Sequence, residues 1–319
     1  MQYVGIQTQQ SRNNFRSLLL LFLFPCLVLA LTYLFCFLLN GITFADEGIP
    51  LAAYTNAMFI QVLPYVVGAV GLWFVIAYFA NTSIIKAATG SQSLARKDNK
   101  RVYNIVENLC MSQGMKMPKI NIIYDDSLNA FASGINERTY TVTFSKGIIE
   151  KLDDEELEAV AAHELSHIRN HDVRLLIISI VFVGIFSMLA QMASRTLYYS
   201  SFNQRRDEKN NTALLMVVMM IVAAIGYFFA LLMRFAISRK REYLADAGSA
   251  EMTKNPLALA RALRKISADP DIEAVRREDV AQLFIQHPGE QAKSALSGLH
   301  GLFATHPPIE KRIRILEQF

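Results

Sequence analysis

The sequence contains few cysteines and few charged residues, and each shortage excludes a class of protein. Only three of the 319 residues are cysteine. Cys26, Cys36 and Cys110 have no paired spacing, so neither a disulfide framework nor a cysteine-ligated zinc is indicated. Charged residues make up 19% of the chain, below the roughly 25% of a typical soluble domain. The formal net charge of +4 is too small to predict a nucleic-acid partner.

The missing charge reflects long apolar runs. Hydrophobic residues make up 52% of the chain, and the mean hydropathy is +0.25. A helix needs about 20 apolar residues to cross a hydrocarbon core of ~30 Å. Four runs approach that length: Leu18–Leu39, Ala57–Ala80, Leu175–Ala193 and Ala213–Met233. The sequence therefore predicts a multi-pass protein of the lipid bilayer with about four transmembrane helices.

Two of these runs have an alternative interpretation. The first follows Arg12 and Arg16, as the core of a signal peptide would, but it is much longer than the ~7–15 apolar residues of such a core. The third is short and contains Ser179, Ser187 and Gln191. A buried helix of a soluble domain therefore stays open as an interpretation of the third run.

Basic residues predict the orientation of the chain in the membrane. Arg12 and Arg16 precede the first run, whereas the loop after that run contains Asp46 and Glu47 but no lysine or arginine. More basic residues follow the second and fourth runs. We therefore expect both termini and the soluble segments on the cytoplasmic side. The loop 194–212, which contains four basic residues, argues against this orientation.

Between the second and third runs the composition becomes that of a soluble domain. Segments 120–124 and 140–144 are rich in β-branched and aromatic residues, which predicts short strands. One helix is predicted at Lys97–Met111. Another begins near Asp153 and Asp154, whose carboxylates suit a helix N-terminus. We expect this second helix to continue without a break into the third apolar run.

The second of these helices carries the pattern His-Glu-x-x-His at His163, Glu164 and His167. Residues four apart lie on one helical face with Cβ atoms about 5–6 Å apart, so both imidazoles can bind one zinc ion at ~2.0–2.1 Å. Glu164 lies beside the metal and can carry a proton from the attacking water to the leaving amine. The pattern predicts one Zn²⁺ per chain, although manganese and cobalt also accept such ligands.

A catalytic zinc site needs a third protein ligand and one open position. His171 lies ~12 Å along the helix from His163, too far to share its metal. A further histidine ten residues after His163 could also serve as the third ligand, but that position is Val173. Glu242 and Asp246 lie one helical turn apart after the fourth run. If the third and fourth runs form a hairpin, Glu242 returns to the membrane face of His167. We therefore expect Glu242 as the third ligand and Asp246 as the acceptor for the other ring nitrogen of a ligand histidine.

The two signatures, His163–His167 and Glu242–Asp246, resemble those of the HtpX-type membrane gluzincins. This zinc metalloprotease family also includes the CAAX prenyl proteases. The segment Leu128–Gly134 is similar to the family's strand motif, and Thr305–Ile313 is similar to its C-terminal motif. The resemblance covers residues 60–319. It implies a mainly α membrane protein with an α+β zincin-like metalloprotease domain, in which a small mixed sheet lies beside the active-site helix.

The resemblance also implies roles for residues outside the metal site. Asn129, Ala130 and Phe131 resemble an edge strand that receives the substrate backbone by β-augmentation, with Asn129 placed near the scissile bond. His306 resembles a histidine that stabilises the oxyanion. From the sequence alone, a turn-forming Asn129 and a helix-entry His306 are the simpler interpretations.

The predicted organisation has four parts. Residues 1–80 form an N-terminal segment with two transmembrane helices, and residues 81–174 form the first part of a cytoplasmic protease domain with the His-Glu-x-x-His helix. Residues 175–237 form a transmembrane hairpin. Residues 238–319 complete the protease domain and supply the third zinc ligand.

The predicted function is that of an integral membrane zinc endopeptidase acting on membrane or misfolded polypeptides at the cytoplasmic face. For a bacterial protein, the resemblance implies quality control in the inner (cell) membrane and a part in the stress response. Two alternatives stay open. One is a selective processing protease of the prenyl-CAAX type, although that subgroup has more membrane spans. The other is a membrane scaffold with a structural zinc ion and no catalysis.

Overall fold

A computed structural model gives the structure of the chain in two compact units. It describes residues 6–43, 50–175, 177–178, 185–186, 191–192, 194–195, 198, 211–235, 240–267 and 307–319. The first unit contains Met1–Ser17, Phe79–Ile177 and Phe235–Phe319, and the second contains Leu18–Tyr78 and Ile178–Arg234.

The described residues form mainly helices, together with four short strands. In chain order the elements are α1 (Ile6–Thr43), α2 (Leu51–Thr89), β1 (Gln92–Ser93), α3 (Lys100–Ser112), β2 (Lys119–Ile123), β3 (Ala130–Ser133), β4 (Thr141–Ser145), α4 (Lys146–Lys151), α5 (Asp154–Arg169), α6 (Asn211–Phe235), α7 (Lys240–Thr253), α8 (Pro256–Ile266) and α9 (Ile309–Leu316). The predicted combination of many helices with a small mixed sheet is confirmed.

Helices α1 and α2 are long and apolar enough to cross a membrane, and they contain the first two predicted runs. Many of their large apolar side chains are exposed, as lipid-facing side chains would be; Phe22 is 67% exposed and Leu72 is 62% exposed. The fourth predicted run is helical within α6, where Val217–Phe229 forms a shorter apolar segment. The third run lies mostly outside the described residues. Among the described residues, two helices are thus long and apolar enough to cross a membrane, where the sequence predicts about four.

A four-stranded mixed sheet lies in the first unit, with the strand order β1-β2-β4-β3. Strands β2 and β4 are parallel, and the two outer strands pair antiparallel to their neighbours. All residues of β4 and all but the first of β2 are buried, as their β-branched and apolar composition favours. These two strands match the predicted segments 120–124 and 140–144, each with a shift of one residue.

Helix α5 begins where the sequence predicts but ends earlier. Asp153 caps its N-terminus, and Glu156 completes a capping box with it. The prediction that this helix continues into the third apolar run is wrong. The helix ends at Arg169 and is capped by Asn170. His171 then adopts a left-handed conformation with φ of 59°, which a right-handed helix cannot contain.

The helices that follow in the first unit surround α5. Helices α7 and α8 pack against α5, and α9 packs against α8 and α7. The closest approach is at Gly248 and Ser249 of α7. The Ser249 hydroxyl donates a hydrogen bond of 2.6 Å to the carbonyl of Ala159, and a Cβ at Gly248 would lie 2.2 Å from Oγ of Ser166. Small residues therefore let α7 lie directly on the helix that carries the histidines.

Candidate metal centre

Two imidazole rings face each other on the inner side of α5. Nε2 of His163 lies 3.2 Å from Nε2 of His167, and the two rings are nearly perpendicular, with an interplanar angle of 89°. Two ligands at ~2.0–2.1 Å from one zinc ion in a tetrahedral site lie about 3.3 Å apart. The spacing of the two nitrogens is therefore that of ligands to a common ion.

Glu242 supplies a third donor from α7. One carboxylate oxygen lies 3.8 Å from Nε2 of His163 and the other lies 3.8 Å from Nε2 of His167. One donor atom from each of these three residues falls within 4.8 Å of the others. His163 and Glu242 are buried, and His167 is partly exposed. The structure thus brings together all three residues that the sequence predicts as metal ligands.

Two further carboxylates set the tautomers of the histidines. Nδ1 of His163 lies 3.0 Å from Oδ1 of Asp246, and Nδ1 of His167 lies 3.1 Å from both carboxylate oxygens of Asp172. A carboxylate accepts hydrogen bonds, so it favours a proton on each Nδ1, and each Nε2 can then donate its lone pair to a metal ion. Two such nitrogens at this distance repel each other unless a proton or a metal ion lies between them. The donor set therefore fits a divalent metal ion.

The acidic neighbours of His163 compensate for its burial. Burial by itself lowers the pKa of His163, but the carboxylates of Asp246 and Glu242 outweigh that effect and raise the pKa to about 9. At neutral pH the metal-free site therefore holds a proton on His163. A metal ion must displace that proton, so binding of metal releases it.

Arg312 of α9 reaches the same centre, although the sequence analysis gives it no role. Its Nε and one terminal nitrogen donate hydrogen bonds of 2.9 Å and 2.7 Å to the two oxygens of Asp246. Its other terminal nitrogen lies 3.6 Å from Glu242. Burial by itself raises the pKa of Asp246, but Arg312 and His163 outweigh it and hold that pKa below its usual value. Arg312 thus keeps Asp246 ionised beside the first histidine.

Glu164 is buried between the two histidines and the sheet. It is 2% exposed, and the backbone of Ala132 in β3 hydrogen-bonds to its carboxylate. Burial raises the pKa of Glu164, and the two histidines only partly offset the increase. A carboxylate with a raised pKa is suited to accept a proton and to return it near neutral pH.

The predicted substrate-binding residues lie at or just before the start of β3, the strand whose Ala132 hydrogen-bonds to Glu164. Ala130 and Phe131 are the first two residues of β3, which pairs with β4 at the end of the strand order. Asn129 is fully buried, and its Oδ1 accepts a hydrogen bond of 3.0 Å from the backbone of Ala130. His306 lies outside the described residues.

The sequence analysis missed two residues of the centre, Asp172 and Arg312. Asp172 lies five residues after His167, and the helical period places no such residue on the face of His167. No local signal in the sequence identifies Asp172, because its contact with His167 depends on the reversal of the chain at His171. Arg312 lies inside the C-terminal motif, but the sequence does not indicate that its side chain hydrogen-bonds to Asp246.

The fold and the centre define a class: a protein with membrane-length helices and a buried His-His-Glu group suited to hold a metal ion. Peptidase family M48 matches residues 96–319. A protease HtpX homolog from Bacteroides fragilis is 78% identical over 322 residues and covers 100% of both chains. A protease HtpX homolog from Listeria monocytogenes is 39% identical over 277 residues and covers 83% of this chain and 87% of its own.

The chain therefore belongs to peptidase family M48, and the predicted resemblance to HtpX-type proteases is confirmed. It is a membrane-associated metalloprotease. Among solved structures, Ste24p of S. mikatae matches with a TM-score of 0.44 and 19% identity, covering 89% of this chain and 61% of the other.

Proposed function

We propose that this metalloprotease is a zinc endopeptidase that cleaves membrane or misfolded polypeptides at the cytoplasmic face of a bacterial inner membrane, as part of quality control. In this proposal His163, His167 and Glu242 hold one zinc ion. The observation that carries it is the set of three donors around one point, with both Nε2 lone pairs directed there by carboxylates on the opposite ring nitrogens. Two imidazoles and one carboxylate also leave the fourth position open, as catalysis requires.

Glu164 is the proposed base of peptide hydrolysis. A bound zinc ion supplies Lewis-acid activation of the scissile carbonyl and of water. Glu164 takes one proton from the water as its oxygen bonds to the carbonyl carbon. It then gives that proton to the amine as the C–N bond breaks. Burial keeps bulk water from the carboxylate and raises its pKa. Because of the raised pKa, the same side chain can accept a proton from water and later donate it to the amine.

Strand β3 is the proposed docking edge for the substrate backbone. It pairs with β4 on one side, and no strand among the described residues pairs with its other side. A substrate added there as a further strand would be held by main-chain hydrogen bonds, which select little among side chains. Such recognition suits a protease of unfolded segments. In this proposal Asn129 lies near the scissile bond, and His306 stabilises the oxyanion.

The proposal includes the predicted arrangement in the membrane. We propose four spans, with residues 81–174 and 238–319 forming one cytoplasmic protease domain and residues 175–237 forming a transmembrane hairpin. Membership of a peptidase family favours catalysis over the scaffold alternative. A selective protease of the prenyl-CAAX type remains the alternative for substrate choice.

The decisive experiment compares proteolysis of denatured casein by the purified full-length chain in detergent with that by Glu164→Gln. Cleavage should fall by a factor on the order of 10²–10⁴, because the base is lost, while about one zinc per chain remains by elemental analysis. His163→Ala and Glu242→Ala should lose both cleavage and zinc.

Glu158→Gln is the matched control, because it makes the same change on the same helix away from the centre. It should keep both activity and metal. Full activity of Glu164→Gln would refute the assignment of the base. Separately, a farnesylated peptide and the same peptide without the lipid distinguish the two substrate classes, because a broad protease should not prefer the farnesylated form.

A further inference from the structure

The start of α1 contacts the turn that follows α5, the helix that carries both histidines and Glu164. The side-chain amide of Asn13 donates a hydrogen bond of 2.9 Å to the backbone carbonyl of Asn170. Oδ1 of the next residue, Asn14, lies 3.2 Å from Nδ1 of His171. All four residues belong to the first compact unit. Asn13 and Asn14 lie far before residue 96, where the match to the peptidase family begins.

The contacted turn has a backbone conformation that needs support. Asn170 caps the end of α5, where the last carbonyls of a helix lack partners within the helix. His171 has a φ of 59°, a left-handed conformation that is uncommon outside glycine, although asparagine, aspartate and histidine adopt it more often than other residues do. Such a conformation persists only when surrounding contacts hold it. Asn13 and Asn14 supply one contact to each of these two residues.

The turn determines where Asp172 lies. In a continuous helix, a residue five positions after His167 would point about 140° away from it around the axis. The left-handed His171 breaks the helix instead, and Asp172 folds back so that both of its oxygens lie 3.1 Å from Nδ1 of His167. Asp172 is 2% exposed. The reversal of the chain at His171 therefore creates the contact that fixes the tautomer of His167.

We propose that Asn13 and Asn14 are positioning residues of the metal centre. They hold the turn Asn170–Asp172, the turn holds Asp172 against His167, and Asp172 keeps the Nε2 lone pair of His167 directed at the metal. The part of α1 before the first apolar run, Leu18–Leu39, thus contributes to the geometry of the metal centre. This inference rests on the proposed metal centre, and it assigns a role to a segment outside the match to the peptidase family.

The test measures how fast the zinc-loaded full-length protein in detergent gives up zinc to a chromogenic chelator. The double variant Asn13→Leu/Asn14→Leu removes both contacts without adding charge. Zinc release should accelerate by a factor of about 3–10, less than the 10–100-fold typical of losing a direct partner of a ligand histidine. Asp172→Asn supplies that larger reference effect. With casein as substrate, kcat should fall while KM stays unchanged, because the metal centre and not the docking edge is disturbed.

Two comparisons separate positioning from a general loss of structure. Asn14→Asp keeps an accepting oxygen and should release zinc more slowly than Asn14→Leu. Ser11→Ala, an exposed residue of the same helix, should behave like the wild type. The melting temperature of the metal-free protein should change little in all of these variants.

The possible failures are distinguishable. Unchanged zinc release in the double variant, with faster release in Asp172→Asn, would overturn this inference and leave the metal centre intact. Unchanged release in Asp172→Asn would also overturn this inference, because Asp172 would then not stabilise the metal centre, whereas retention of zinc by His163→Ala and Glu242→Ala would refute the proposed function itself.

Discussion

At the scale of single residues, Arg312 carries a guanidinium that is buried inside the protein. Its side chain is 1% exposed, so it is removed from water and must be compensated by hydrogen bonds and charge. Asp246 supplies both through two parallel contacts. This geometry requires the planar fork of arginine, because a lysine is a single point of charge. Arg312 therefore determines the orientation of Asp246 and, through it, that of His163.

Replacement of Arg312 by methionine should destabilise the chain by about 3–5 kcal/mol, because it leaves Asp246 as a buried charge with one partner fewer. The zinc content should fall as well. Arg312→Lys should recover only part of both properties. Thermal unfolding in detergent and elemental analysis measure the two effects. Arg314→Met, an exposed site on the same helix, is the control, and an equal loss there would show that the buried pair is not the cause.

The residues of the centre differ in how far the sequence reveals them. His163 and His167 follow from the helical period, and Glu242 follows from the return of the chain after an apolar hairpin. Asp172 does not follow, because its contact with His167 depends on one left-handed residue that no local pattern marks. Arg312 does not follow either, because it reaches the site through the packing of a distant helix.

At the scale of elements, the contact between α5 and α7 assembles the centre. Glu242 lies on α7 and both histidines lie on α5, so the separation of the two helices sets the distances among the three donors. Gly248 permits the close approach, since a Cβ there would lie 2.2 Å from Oγ and 3.0 Å from Cβ of Ser166. The hydroxyl could rotate away, but the Cβ of Ser166 could not.

Gly248→Ala should therefore cost about 1–3 kcal/mol of stability through overpacking, and it should weaken zinc binding as Glu242 is displaced from the histidines. In the background of Ser166→Ala, which removes the nearest atom, the same change should cost less. Thermal unfolding and chelator competition on the four chains of this double-mutant cycle measure the coupling. Strictly additive effects would contradict the steric explanation. Ala250→Gly, the reverse change on α7, measures the difference in helix propensity, which favours alanine by about 1 kcal/mol.

The elements themselves were predictable to different degrees. Strands β2 and β4 follow from their β-branched composition, and α5 begins at a capping box that is visible in the sequence. The predicted end of α5 was wrong because the third apolar run begins at Leu175, only six residues after Arg169, which favours one continuous helix. The break at His171 is accompanied by contacts from α1. Those contacts link residues 157 positions apart, which no local pattern can show.

At the scale of the whole molecule, the proposed topology sets a parity for the crossings of the membrane. Met1–Ser17, Phe79–Ile177 and Phe235–Phe319 belong to one compact unit, and the four-span proposal locates all three on one side of the bilayer. In that proposal the chain crosses an even number of times between them. Helices α1 and α2, both long and apolar enough to cross, account for the first pair of crossings, and the third and fourth predicted runs account for the second pair.

Cysteine labelling tests this parity directly. In a chain freed of its native cysteines, Thr8→Cys and Lys97→Cys should react with a membrane-impermeant maleimide only after the cells are opened, because the basic flanks predict a cytoplasmic location. Ala52→Cys and Tyr198→Cys should react in intact cells. All four side chains are exposed, so protection reports the membrane and not burial. Protection of Tyr198→Cys alone would refute the four-span proposal, because the chain would then not cross between Ile178 and that residue. Labelling of Lys97→Cys in intact cells would place the protease domain outside the cytoplasm.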